Sequence, residues 1–240
     1  MESKQNIHPP IFVYYLPVSK LSRVEVCPKR AKIEIFKSPK IVTTTDTNQG
    51  SIAIGNRLHA LYSYFQKGFD RERLRRRLYL LSDKGKYKKQ LDNIMVVGVY
   101  DDLRIIRDVA TGKKYTVLVE VKTTTMKYMW SREILSGIKQ LQLYMWLLKD
   151  NLEYLGYPLW KRSYLQIYSQ KGGKLMNMIP VEYDDKIEEW IKGVVEGFKG
   201  LRPVSVPPFA YCKRCPVSVK RLCDWYMLRK EYYAKTLHTI

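Results

Sequence analysis

Glu120 and Lys122 stand two residues apart in the apolar run Tyr115-Thr-Val-Leu-Val-Glu-Val-Lys122. If that run is a strand, its side chains alternate. Leu118, Glu120 and Lys122 then share one face, and Val117, Val119 and Val121 the other. A carboxylate there can hold a hard divalent cation, and an ammonium beside it can orient or activate a water. The same spacing also describes a solvent-exposed charge pair, and Glu2-Ser3-Lys4 repeats it near the start of the chain. A second carboxylate comes from Gly98-Val99-Tyr100-Asp101, where an apolar segment ends, with Asp102 as the rival of Asp101. Two carboxylates from neighbouring strand ends are the least that a Mg²⁺ or Mn²⁺ site needs. His59 lies beside Leu58 next to the apolar face of a helical pattern. It is either a packed core residue or an imidazole ligand, which would favour Mn²⁺. Gln140 and Tyr144 are i,i+4 in a long helical segment and share a face. They can hydrogen-bond a phosphate or a water, or simply be polar helix positions.

The four cysteines form a second group with chemistry. Cys27 stands alone before Pro28, while Cys212, Cys215 and Cys223 crowd near the other end. No stretch of 18 apolar residues occurs, so no membrane span is expected. The short run Ile11–Val18 has neither a basic leader nor a small-residue cleavage site. These features point to a cytoplasmic chain, in which thiols serve as metal ligands more often than as disulfides. If all four share one site, it ties the chain ends together around the interval that holds the carboxylates. A one-plus-three split departs from the two close pairs usual for zinc and favours an iron–sulfur cluster, with tetrahedral Zn²⁺ as the rival.

Charge supplies the third signal. Of 240 residues, 43 are Lys or Arg and 23 are Asp or Glu, a net charge of +20. Such an imbalance implies a polyanionic partner, with nucleic acid ahead of a membrane surface. The densest source is a basic helix over 70–81 with Arg71, Arg73, Arg75, Arg76 and Arg77, followed by a basic loop over 82–90 with Lys84, Lys86, Lys88 and Lys89. These cations can neutralise phosphates, and binding would weaken steeply with salt. Tyrosine, at 19 residues, could supply stacking platforms for single-stranded bases.

The elements that must position these groups follow from periodicity. A short helix is expected from Ser19 to about Arg30, a loop over 43–50, and a helix from Ser51 with Ile54, Leu58, Leu61, Tyr62 and Phe65 on one face. Strands are expected at 93–101, 103–109 and 114–122, then a long helix from Ser131 to Asp150. Strands at 162–170 and 174–183 flank Lys171-Gly172-Gly173-Lys174, a hairpin signal. Asp184 caps a helix to about Phe198, and prolines at 203, 207 and 208 lead into the cysteine triplet and a final helix. This order gives an α/β fold, a mixed sheet flanked by helices.

Taken jointly, the ordered set His59, Gly98-x-x-Asp101, Glu120-Val121-Lys122 and Gln140-x-x-x-Tyr144 resembles the RecB-like branch of the PD-(D/E)XK nucleases. The outer residues Ser19-x-Leu21, Cys27-Pro28, Cys212-x-x-Cys215-Pro216 and Cys223 resemble its iron–sulfur subgroup. The size is similar to that of the stand-alone CRISPR-associated RecB-like exonucleases, the fourth Cas family. The resemblance spans about residues 19–226. It implies a restriction-endonuclease-like core that hydrolyses DNA with Mg²⁺ or Mn²⁺, held by His59, Asp101, Glu120 and the carbonyl of Val121. It implies Lys122 as the catalytic lysine, Gln140 and Tyr144 as its helix motif, and a [4Fe–4S] cluster on the four cysteines. The expected organisation is a tail over 1–18 and one nuclease domain over 19–240. Residues 19–35 and 203–235 would form the cluster module around a core at about 51–200. The expected activity is an exonuclease on single-stranded DNA ends or overhangs in CRISPR adaptation, with the integrase complex as a partner. A repair or viral recombination nuclease, and a non-catalytic nucleic-acid-binding protein with a zinc site, are the alternatives.

Overall fold

The computed structural model describes residues 13–37, 68–200, 207 and 209–237. The helix expected from Ser51, and with it His59, lies outside the described residues.

Two sheets form the frame. The first joins β1 (Tyr14–Pro17), β2 (Tyr87–Leu91) and β3 (Ile94–Gly98) in the order β1-β3-β2, with β1 parallel and β2 antiparallel to β3. The second joins β4 (Asp102–Arg107), β5 (Lys114–Thr124), β6 (Arg162–Ser169) and β7 (Leu175–Glu182) in chain order. Only β5 and β6 are parallel there. A parallel pair needs a crossover, and the helix over Ser131–Tyr154 supplies it. The expected mixed sheet is therefore two mixed sheets flanked by helices.

Among the described residues the α-helices are α1 (Val18–Leu21), α2 (Pro28–Lys32), continued by a π-helical turn over Ile33–Lys37, α3 (Phe69–Leu80), α4 (Ser131–Tyr154), α5 (Ile187–Lys199), α6 (Phe209–Lys213), α7 (Val217–Arg221) and α8 (Asp224–Leu237). The single helix expected over 19–30 is broken into α1, a 3₁₀ turn over Ser22–Glu25, and α2. Pro28 explains the break. It lacks a backbone donor and suits a first helical position, with Cys27 as N-cap, better than a helix interior.

α4 packs against β5, β6 and β7 of one sheet and against β2 and β3 of the other. Leu141, Leu143, Met145, Trp146 and Leu148 are buried around its circumference, as expected of a helix enclosed on several sides. Each such side chain contributes roughly 1.5–3 kcal/mol of burial. Gly137 lets the helix approach β6, since a Cβ there would lie 3.0 Å from Leu165. The Gly172-Gly173 hairpin takes positive φ at both glycines, as its sequence anticipates.

Two expectations fail at the front of the chain. Residues 14–17 are a strand paired with β3 at the sheet edge, with Leu16 buried, rather than part of a tail. Residues 87–91 are β2, not loop. The segment after Cys27 and the cysteine triplet do meet. Ile33, Val219 and Cys223 form a second small core with Cys215, Trp225 and Tyr226, and Lys29 pairs with Asp224 at 2.9 Å. The N-terminal side of that region is not separate from the main core, to which Val18, Leu21 and Ala31 belong.

Candidate active site

β5 is buried on both faces from Thr116 to Val121, and Glu120 and Lys122 occupy the face turned toward α4. Lys122 Nζ donates to Glu120 Oε1 at 2.5 Å and to Gln140 Oε1 at 2.8 Å. Gln140 Nε2 in turn donates to the Tyr144 hydroxyl at 3.3 Å. The i,i+4 pair of α4 and the Glu-x-Lys pair of β5 thus make one hydrogen-bonded chain. Asp101, between β3 and β4, accepts from the Val121 amide at 3.0 Å. Of the residues expected at the catalytic site, the structure brings together Asp101, Glu120, Val121, Lys122, Gln140 and Tyr144.

The Asp101-Asp102 doublet divides between two environments. Asp102 begins β4, pairs with Val119 and is 1% exposed. Its carboxylate takes the buried Arg71 guanidinium, which also donates to the Leu103 carbonyl at 2.9 Å. Burial pushes the Asp102 carboxyl up, and Arg71 only partly offsets this. Asp101, one residue earlier, is the carboxylate beside Glu120.

Glu120 is 1% exposed, and its Oε2 is buried with no hydrogen-bond partner. Burial pushes its carboxyl up to about 8; Lys122 opposes the shift and the Asp101 charge adds to it. Tyr144 is pushed well above the ordinary phenol range by burial and by Glu120 and Asp101, so its hydroxyl keeps its proton. An orphaned buried carboxylate oxygen beside a second carboxylate is costly by itself. A divalent cation is the group that would satisfy both, and the oxygen donors present suit Mg²⁺ or Mn²⁺.

All four cysteines line one cavity, together with Arg30 and Tyr226 among others. None is in a disulfide. Burial pushes the thiols of Cys27, Cys215 and Cys223 up, Cys215 to about 12. Neighbouring cysteines add to each shift, which reflects their closeness. Among the described residues no group of three or more His, Cys, Asp or Glu is placed to hold a metal ion.

The basic segments divide. Arg71 is withdrawn from solvent by Asp102, so the expectation that it contacts DNA is corrected. Arg73, Arg76 and Arg77 are exposed, while Arg75 is half-buried beside Tyr100. Lys84, Lys86 and Lys88 are exposed, Lys88 pairing with Asp83 at 2.5 Å. Lys89 pairs with Asp150 at 2.6 Å and lies over the Trp146 ring. Of these cations only Lys86 lines the cavity that contains Asp101, Gln140 and Tyr144. Arg23 and Arg30, which the charge pattern did not single out, line an adjoining cavity with Lys122 and Gln140. Their sequence signal is weak, because neither lies in a basic cluster comparable to 71–77.

Residues 83–224 match the family profile of the PD-(D/E)XK nuclease superfamily. The matched span holds both carboxylates, Lys122, the Gln140–Tyr144 pair and three of the cysteines. Among solved structures, the chain is similar to one titled "Crystal structure of SSO0001", with a TM-score of 0.56 at 18% identity. That alignment covers 94% of this chain and 89% of the other, and speaks to fold alone. No curated protein matches.

Proposed function

Because the chain belongs to the PD-(D/E)XK nuclease superfamily, we propose that it is a metal-dependent DNA exonuclease acting on single-stranded ends or overhangs, with Glu120, Asp101 and Lys122 at its catalytic centre. The observation that carries this reading is the orphaned, buried Oε2 of Glu120, set beside Asp101 and a lysine that already bonds Glu120. Glu120 and Asp101 would hold Mg²⁺ or Mn²⁺, with His59 and the Val121 carbonyl as the further ligands that the RecB-like resemblance implies. The ion, when bound, polarises the scissile phosphate and lowers the pKa of a water.

The remaining roles fall to side chains on β5 and α4. Lys122 presents a positive charge where the phosphoryl oxygens gain negative charge, and Gln140 Oε1 holds that ammonium in place. Tyr144 keeps its proton and supports the Gln140 amide, which fixes which end of the amide faces Lys122. Asp101 receives the Val121 amide and so is anchored to the strand that carries Glu120. Degradation of single-stranded DNA with Mn²⁺, compared between wild type and Glu120→Ala, tests the assignment.

The second part of the proposal is a [4Fe–4S] cluster on Cys27, Cys212, Cys215 and Cys223. Four sulfurs lining a shared cavity support a common metal group, and their one-plus-three split along the sequence favours a cluster over zinc. Its role would be structural, closing a loop from Cys27 to Cys212 and constraining the unfolded chain. Iron and labile sulfide analysis of anaerobically purified protein separates cluster from zinc. Prespacer trimming in CRISPR adaptation, beside an integrase, is the biological setting that this combination of motifs favours. Integrase genes next to this one, or their absence, would test that setting.

A further inference from the structure

A cavity lies between the end of β5 and the segment that carries Cys27. Arg23, Arg30 and Lys122 line it, and Glu133 is the one carboxylate among its described lining residues. Behind the arginines stands Glu34, fully buried. Its Oε1 accepts from Arg30 Nε at 2.7 Å and its Oε2 from Arg23 Nη1. Burial pushes the Glu34 carboxyl up, but Arg30 and Arg23 together outweigh burial and hold it below its ordinary value. Glu34 therefore stays charged. One carboxylate shared by two guanidiniums of five donors each orients both without neutralising both. The arginine side chains keep 35% and 23% exposure, whereas Glu34 keeps none, so the surface that remains is cationic. Side chains already held in place lose little further rotamer freedom on binding a phosphate.

The cavity adjoins a second one. Ser19 and Gln140 line both, Lys122 lines the first, and Asp101 with Lys86 lines the second. The proposed catalytic group therefore sits where the two meet, with cations on each side. We infer that the cavity beside Lys122 is a phosphate subsite for the DNA strand, taking a phosphate that neighbours the scissile one on Arg23 and Arg30. This rests on the nuclease reading. It gives the cysteine-bearing segment a share in binding substrate, besides its packing against the cysteine triplet.

Arg23 is the cleaner probe, because Arg30 also lines the cysteine cavity. Binding of a fluorescein-labelled oligothymidylate is followed by anisotropy in EDTA over a salt series, with melting temperature as the check on folding. Arg23→Gln should bind about tenfold more weakly. Its log–log salt slope should be shallower by about 0.7, the loss of one single-strand phosphate contact. Arg23→Lys should recover most of that slope. Glu133→Gln removes the opposing charge and should tighten binding about two- to threefold. If Arg23→Gln does not fold, Glu133→Gln decides alone. Unchanged affinity and slope in the folded variants, with a wild type that binds and cleaves, would overturn the subsite while leaving the nuclease reading intact. A wild type that neither binds nor cleaves would overturn both.

Discussion

A Cβ on Gly98 would lie 2.7 Å from Cε1 of Tyr144. The same atom would stand 2.8 Å from Val18 Cγ2. The glycine at the end of β3 is thus needed for space: it lets the strand pass between α1 and the α4 tyrosine. This contact joins two motifs that the sequence presents 46 residues apart, and it yields the first prediction. Gly98→Ala should destabilise the fold by about 1–3 kcal/mol, the usual range for overpacking. Chemical denaturation measures this. Because Tyr144 and Val18 must move, cleavage should fall as well.

Asp101 and Asp102 should separate cleanly on substitution. Asp102→Ala removes the buried carboxylate that Arg71 bonds and leaves Glu72 at 3.6 Å and the Leu103 carbonyl to hold the guanidinium, a loss approaching about 3 kcal/mol. Asp101→Asn preserves shape and should leave stability nearly unchanged while abolishing cleavage. Denaturation midpoints and nuclease rates of the two variants distinguish these roles. Loss of activity without loss of stability in Asp102→Ala would reverse the assignment.

The buried Glu120 carboxyl predicts a pH effect in metal-free protein. Its folded pKa, about 8, lies above its ordinary 4.5, so between those values the folded chain holds a proton that the unfolded chain has lost. The contribution of Glu120 to stability is then fullest below pH 4.5 and declines as pH rises toward 8. Mn²⁺ must displace that proton, so its affinity should rise with pH over the same window. Melting curves in EDTA and in Mn²⁺ across this range test both statements. In Glu120→Gln the pH dependence should flatten.

The cysteine cavity predicts a shared fate for distant residues. Cys27→Ala should lower bound iron as much as Cys215→Ala does, and should cost about 2–5 kcal/mol if cluster closure acts on the unfolded chain as a long crosslink does. Iron content and thermal unfolding under anaerobic conditions are the readouts. One zinc per chain and no iron would refute the cluster.

Much of this arrangement was legible in the residues. Alternation placed Glu120 and Lys122 on one face of β5, and the i,i+4 rule placed Gln140 beside Tyr144; these four make a continuous hydrogen-bonded chain. The five arginines of α3 are not equivalent, and Arg71 is not the DNA contact expected of it. It stands three residues before Leu74 and seven before Leu78, so it lies on the buried side of that helix. β1 left little local trace, since four residues that pair in parallel with a strand some 80 positions away carry their signal in the partner. β2 was masked by Lys88 and Lys89, whose charges suit a sheet edge and resemble those of a loop. The Arg23–Glu34–Arg30 group depends on residues 11 and 4 positions apart across a broken helix, which periodicity cannot reveal.

The most direct test is the rate at which purified protein degrades single-stranded DNA in Mn²⁺, measured for wild type, Glu120→Ala and Lys122→Ala. The wild type should cleave, EDTA should stop it, and each substitution should lower the rate by about two to four orders of magnitude with the fold retained. A wild type inert with every divalent ion, or folded variants that cleave as fast as it does, would contradict the assignment of this site.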